Sequence, residues 1–172
     1  MKKLAARIAT AAVAIPALIF GMSGTSYADS DNVTWRDDAT GLCLAWDSNY
    51  ITGALDWVGT RNCNSGRGST RWRDVNVGGA WRQMPAATNS SGGWVNVCLA
   101  AWKPGGSGSD SVYLEGCTDN NPWQQWQEVQ AFGGWHLKHV QDGYLLDSNA
   151  NGDVYATPDP GWNYNNTYQL WH

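Results

Sequence analysis

The chain has 172 residues, with 11 Lys and Arg against 15 Asp and Glu, for a formal net charge of −4. An acidic chain with no basic cluster repels phosphate backbones and anionic lipid headgroups, so neither nucleic acid nor a charged membrane surface is expected as a partner. Its 12 tryptophans and 20 glycines point instead to aromatic packing among many turns.

Residues 1–28, MKKLAARIATAAVAIPALIFGMSGTSYA, join a basic start (Lys2, Lys3, Arg7) to an apolar stretch and small residues at Ser26 and Ala28. That order predicts a secretory signal peptide cut after Ala28; Pro16 interrupts the apolar run, which is short for a bilayer span. Residues 29–172 would then form a single domain, with three of the 11 basic residues gone and a net charge moved from −4 to −7. Export predicts a secreted, extracellular protein, with no membrane insertion after signal removal and with disulfides permitted.

Beyond residue 33 one pattern recurs three times. Trp35, Trp81 and Trp135 open the units, GLCLA (41–45), NVCLA (96–100) and GYLLD (143–147) follow, and STRWRDV, WQQWQEV and YQLWH close them at Trp72, Trp126 and Trp171. The repeats run approximately 33–76, 77–130 and 131–172; the second is lengthened by PAATNSSGGW, whose Pro, Gly and Ser mark an inserted loop. Short apolar runs bounded by Gly, Asn, Asp and Pro read as brief strands joined by turns, with no long amphipathic helix. One unit is too small to enclose an apolar core, whereas three around an axis can do so.

Four cysteines admit three pairings. The similar spacings favour Cys43–Cys63 and Cys98–Cys117, and the repeat frame places both pairs alike, with Leu145 and Asp159 at the matching places of the third unit. Neither spacing resembles a zinc ligand set, and no metal or cofactor is expected.

The threefold repeat, the CLA and LLD strands, the cysteines within units and the Gln-x-Trp closures together resemble the ricin-B-type β-trefoil lectins over essentially all of 33–172. Gln124 and Gln169 keep the closure, while the first unit has Thr70 in that place. The resemblance implies an all-β fold, a β-trefoil of about twelve short strands, six in a barrel and six in a cap of hairpins. It also implies a glycan or polysaccharide ligand and a closing tryptophan that belongs to the core. The residues agree on the last point: Trp72, Trp126 and Trp171 are symmetric large aromatics suited to a shared interior. Val129, three residues after Trp126, would need a tight turn or a bulge to face inward beside it.

In that family a carboxylate on the third residue of the C-L-D strand, an aromatic near the end of the next strand and an Asn just before the closing Gln hold the sugar. The corresponding places here are Ala45, Ala100 and Asp147 for the acid; Arg61, Glu115 and Thr157 for the aromatic; and Ser69, Trp123 and Tyr168 for the Asn. No unit carries the full set. The third unit is the candidate, with Asp147 and Gln169 in place and Tyr155, Trp162, Tyr164 and Tyr168 in or beside one connecting segment as substitute platforms, shaped by Pro158, Pro160 and Gly161. The bland alternative is that Tyr155 and Tyr168 pack the core. Trp46, Trp57, Trp94 and Trp102 lie in or beside turns and, exposed together, would form a separate surface for a secreted partner protein or a polymer chain.

Catalysis has little support. Paired cysteines leave no thiol, His136 and His139 sit three apart on a strand, and Asp147, Asp153 and Asp159 lie in turn-rich sequence. The expectation is a lectin-like binder with at most one altered sugar site, against a trefoil that has lost sugar binding and serves as a subunit or adaptor of a secreted assembly.

Overall fold

The computed structural model describes residues 30–47, 57–65, 70–102, 108–161 and 166–172. The expected signal peptide and the loop residues Trp162 and Tyr164 lie outside the described residues.

The short apolar runs become eleven strands, with no α-helix among the described residues. They are β1 (Ser30–Val33), β2 (Cys43–Trp46), β3 (Val58–Arg61), β4 (Trp72–Val77), β5 (Ala80–Pro85) and β6 (Val97–Trp102), then β7 (Asp110–Gly116), β8 (Trp126–Ala131), β9 (Gly134–His139), β10 (Leu145–Ser148) and β11 (Val154–Thr157). Hairpins β4–β5 and β8–β9 turn at Gly78-Gly79 and Phe132-Gly133. Their glycines have φ of 64°, 94° and 91°, a region where a side chain is strained.

These hairpins are staves of a closed barrel. Val33 pairs with Trp72, Trp81 with Trp126, and Trp171 bridges both Trp135 and Asp37 to close the ring. The twelfth strand expected is thus represented by Trp171 in bridges alone. Three further hairpins, β2–β3, β6–β7 and β10–β11, form the cap, tied together by pairing of β11 with β7 and a Gly59–Asp153 bridge. This is the pseudo-threefold β-trefoil.

The closing tryptophans join barrel to cap. Trp72, Trp126 and Trp171 are all 0% exposed. Each indole N–H donates to a carbonyl in the cap strand of its own repeat: Leu44 at 3.0 Å, Leu99 at 3.1 Å and Leu146 at 3.1 Å. Burying the ring costs nothing in lost hydrogen bonding, because the one polar atom is satisfied.

The disulfides are Cys43–Cys63 and Cys98–Cys117. Each closes a loop of about 20 residues across one cap hairpin, a constraint worth about 3 kcal/mol in the chain-entropy account. Replacing Cys98 and Cys117 by alanine should lower the denaturation midpoint correspondingly, and a shift under about 0.5 kcal/mol would mean that the loop is ordered without the bond.

Val129 corrects the expectation that it turns inward with Trp126. It is 40% exposed, because β8 keeps plain alternation and residues three apart face opposite ways. The inward place two residues after the tryptophan belongs to Glu128, and in β4 to Asp74. Between them lies Gln83 of β5, fully buried, its Oε1 accepting the Trp35 indole N–H at 2.9 Å. Asp74 Oδ1, Gln83 Nε2 and Glu128 Oε1 are buried with no hydrogen-bond partner among the described residues. Burial, and then the neighbouring Glu128, push the Asp74 carboxyl up to about 8. Burial pushes Glu128 up to about 7.

Candidate functional site

Asp147 stands third in β10, and the antiparallel register sets Tyr155 of β11 directly across from it. The cross-strand partner of the acid position is therefore Tyr155, with Tyr113 and Gly59 in the other repeats; the places assigned from sequence (Thr157, Glu115, Arg61) lie two residues further along. Period-two alternation explains the difference, since residues two apart share a face and both positions look the same in sequence.

Asp147 is 4% exposed, and its carboxylate is held by four donors. Oδ1 accepts the Ser148 backbone N–H at 2.8 Å. Oδ2 accepts from Thr157 Oγ1 at 2.6 Å, Gln169 Nε2 at 3.1 Å and Asn166 Nδ2 at 3.2 Å. Gln169 Nε2 also donates to Thr157 Oγ1 at 2.7 Å. Burial pushes the Asp147 carboxyl above its ordinary value, while these four donors act to lower it. Tyr155 is half-buried, and its hydroxyl donates to the Ser148 carbonyl at 2.9 Å. Its phenol is raised first by burial and then by Asp147, Asp153 and Tyr168. Asp147, Tyr155, Tyr168 and Gln169 are thus brought together.

The Asn that serves this cluster is Asn166, three residues before Gln169, where Tyr168 had been assigned. A 3-10 turn, Thr167–Gln169, explains it: Asn166 caps the turn by accepting the Tyr168 N–H, and Gln169 is folded back beside it. The second repeat repeats the device with Asn121, the turn Pro122–Gln124 and the Trp123 N–H, so Asn121 and not Trp123 occupies that role. An Asn three residues before the closing Gln, an N-cap spacing, was the available signal.

The second repeat holds an acid on the neighbouring strand. Ala100 stands where the third repeat has Asp147, and Glu115 on β7 accepts from Gln124 Nε2 at 2.7 Å and Asn121 Nδ2 at 3.5 Å, the same pair of side-chain types that hold Asp147. Tyr113, two residues away, has its phenol raised by burial and then by Glu115. The first repeat goes the other way. Trp57 lies so close over Gly59 that a Cβ there would fall 2.2 Å from the indole, and the ring covers the strand opposite Ala45.

Of the tryptophans considered for a surface, Trp46 is buried and donates to the Arg71 carbonyl at 3.0 Å. Trp57, Trp94 and Trp102 are 38%, 43% and 50% exposed. The Arg61 guanidinium sits 4.1 Å over Trp57, and that of Arg73 sits 4.5 Å over Trp94.

His136 and His139 serve separate partners. His136 Nδ1 meets the Gln169 carbonyl at 2.8 Å, whereas His139 Nδ1 meets Asp142 at 2.9 Å and its Nε2 the Trp123 carbonyl at 3.1 Å. Asp110, His139 and Asp142 offer ligand atoms within 4.8 Å of one another, but both His139 nitrogens already face these acceptors.

No family model matches this chain, and no curated protein matches it. Solved structures do. The designed 3-fold symmetric protein ThreeFoil is similar at 19% identity, with a TM-score of 0.63 over 83% of this chain and 97% of that one. The Haemophilus ducreyi cytolethal distending toxin is similar at 14% identity, TM-score 0.60, over 83% of this chain and 81% of that chain. SeviL bound to asialo-GM1 saccharide is similar at 12% identity, TM-score 0.56, over 81% and 93%. At these identities the likeness is one of fold.

Proposed function

We propose that this protein is a secreted, lectin-like carbohydrate-binding β-trefoil whose sugar site lies in the third repeat around Asp147. One observation carries the reading. Four donors hold the carboxylate, yet its Oδ1 accepts only one of them, beside Tyr155. A sugar hydroxyl can donate to the remaining position while the C–H face of the ring rests on Tyr155 or Tyr168. Trp162 and Tyr164 are proposed as further platform residues. The shared fold with a protein solved with a saccharide supports the reading. Binding without catalysis is favoured by the engagement of all four cysteines in disulfides and of both strand histidines with protein partners.

The test is a panel of glycans and insoluble polysaccharides against the parent, Asp147→Asn and Glu115→Gln, with circular dichroism to check folding. Asp147→Asn should weaken binding at least tenfold, the scale of a lost hydrogen bond to a charged group, about 1.5–3 kcal/mol. Unchanged binding sinks the third-repeat site. Loss with Glu115→Gln instead moves it to the second repeat.

A second reading, a protein-binding subunit, is favoured by exposed Trp57 and Trp94 under Arg61 and Arg73, residue types common at interface hot spots. Affinity capture from the producing cells' medium tests it, and recovery of free monomer alone rejects it.

A further inference from the structure

The residue after each opening tryptophan is Arg36, Arg82 or His136. In the second repeat Arg82 is latched: its Nη2 donates to the Thr118 carbonyl at 3.1 Å and pairs with Asp119 Oδ1 at 3.1 Å. Counted from the disulfide cysteines, the first repeat has Asn64 and Ser65 where the second has Thr118 and Asp119. Ser65 brings no charge, and its hydroxyl is buried with no hydrogen-bond partner among the described residues. Among the described residues Arg36 pairs with no carboxylate, and it is exposed.

The unlatched guanidinium borders a cavity of about 330 Å³, lined by Arg36, Gly41, Leu42, Asn62, Cys63 and Asn64. That volume lies at the low end of small-ligand sites. Among the described residues Arg36 is the one charged residue in the lining. Gly41, with φ of 69°, lets the guanidinium rest against bare turn backbone, since a Cβ there would lie 3.3 Å from Arg36 Nη2. Asn62, which also lines the cavity, accepts the Asn64 N–H on its Oδ1 at 3.0 Å and carries its donors on the amide nitrogen. The cavity therefore offers a planar cationic fork and an amide donor without a carboxylate, on a chain whose net charge is −4.

We infer that this cavity binds the anionic group of an acidic sugar, a uronate carboxylate or a sulfate ester, with Arg36 as the charged donor. Both groups present paired oxygens that suit a bidentate guanidinium. The anion preference stands on the cavity and the repeat comparison alone; the sugar part rests on the carbohydrate reading above.

The experiment titrates the full-length folded protein with glucuronate, glucose 6-sulfate, glucose and inorganic sulfate, read by NMR shifts of Asn62 and Asn64 and by calorimetry. The variants are Arg36→Gln and Ser65→Asp, the second building into the first repeat the latch that Asp119 supplies in the second. Glucuronate or glucose 6-sulfate should bind at least tenfold tighter than glucose, more weakly at high salt, and each variant should remove that tenfold. Acidic sugars bound no tighter than glucose, or unaffected by both variants, overturn the inference. Inorganic sulfate bound as tightly as glucose 6-sulfate overturns its sugar part. Asp147→Asn separates the two sites: loss of glucuronate binding there, and not in Arg36→Gln, overturns the cavity while leaving the carbohydrate reading standing.

Discussion

Trp126→Ala is expected to lower the unfolding free energy by about 3–5 kcal/mol, the range for removing a large buried aromatic. The side chain is fully buried, so its transfer free energy is lost outright and a cavity remains under β6. The substitution also strips the Leu99 carbonyl of the indole N–H that it accepts at 3.1 Å. Trp126→Phe separates the two contributions: most of the packing stays, the carbonyl loses its donor, and the expected cost falls to about 1–3 kcal/mol. Trp72→Ala and Trp171→Ala should behave alike, because their indoles make the matching bonds to Leu44 and Leu146. Small domains have about 5–15 kcal/mol of stability in all, so any one of these losses is a large share of it. Urea denaturation measures it, and a loss below 1 kcal/mol for Trp126→Ala would contradict a core role.

Stability should fall as pH rises from about 5 to about 8, because of Asp74 and Glu128. Their carboxyls are raised in the folded chain from 3.8 to about 8 and from 4.5 to about 7, mainly by burial. Between the ordinary and raised values the folded state binds more protons than the unfolded state, so each step up in pH favours unfolding. The stabilisation is fully present below the ordinary carboxylate range and is lost as pH climbs through the raised values. Each titrating group contributes at most about 1.4 kcal/mol per pH unit, and Glu128, partly exposed, contributes less than Asp74. Asp74→Asn keeps the shape and removes the buried charge, so it should flatten the profile and exceed the parent in stability above pH 8. Denaturation midpoints at pH 5, 7 and 9 decide the matter. A parent profile that rises across this interval, or one that Asp74→Asn leaves unchanged, refutes the assignment.

These two predictions differ in how much of them could be read from the chain. The closing tryptophans were legible because a threefold recurrence of a large aromatic has few explanations other than a shared core. The acids were not, although the signal was present: RWRDV and QWQEV each place an acid two residues after the tryptophan, on the same side of a strand. The apolar Val129 suggested inward packing, and the pleat turned it out.

The candidate site divides in the same way. Asp147 and Gln169 were legible as one residue in a recurring strand and one in a recurring closure, and the disulfide pairs followed from the same frame. The donors Thr157 and Asn166, the opposed Tyr155, Glu115 on its neighbouring strand and the self-covered Gly59 depended on strand register and on 3-10 turns that fold a glutamine back on its own Asn. The open cavity at Arg36 emerged only when equivalent positions of two repeats could be compared by their contacts.

The sequence by itself determined the threefold β-architecture, the cysteine pairing and the three core tryptophans, because repetition and alternating patterns are written along the chain. Tertiary structure alone decided which polar side chains meet, since a hydrogen bond depends on separations of a few tenths of an ångström between residues distant in sequence. Asp37 and Ser148, 111 residues apart and bonded at 2.8 Å across the junction of the first and third repeats, are a contact of that kind.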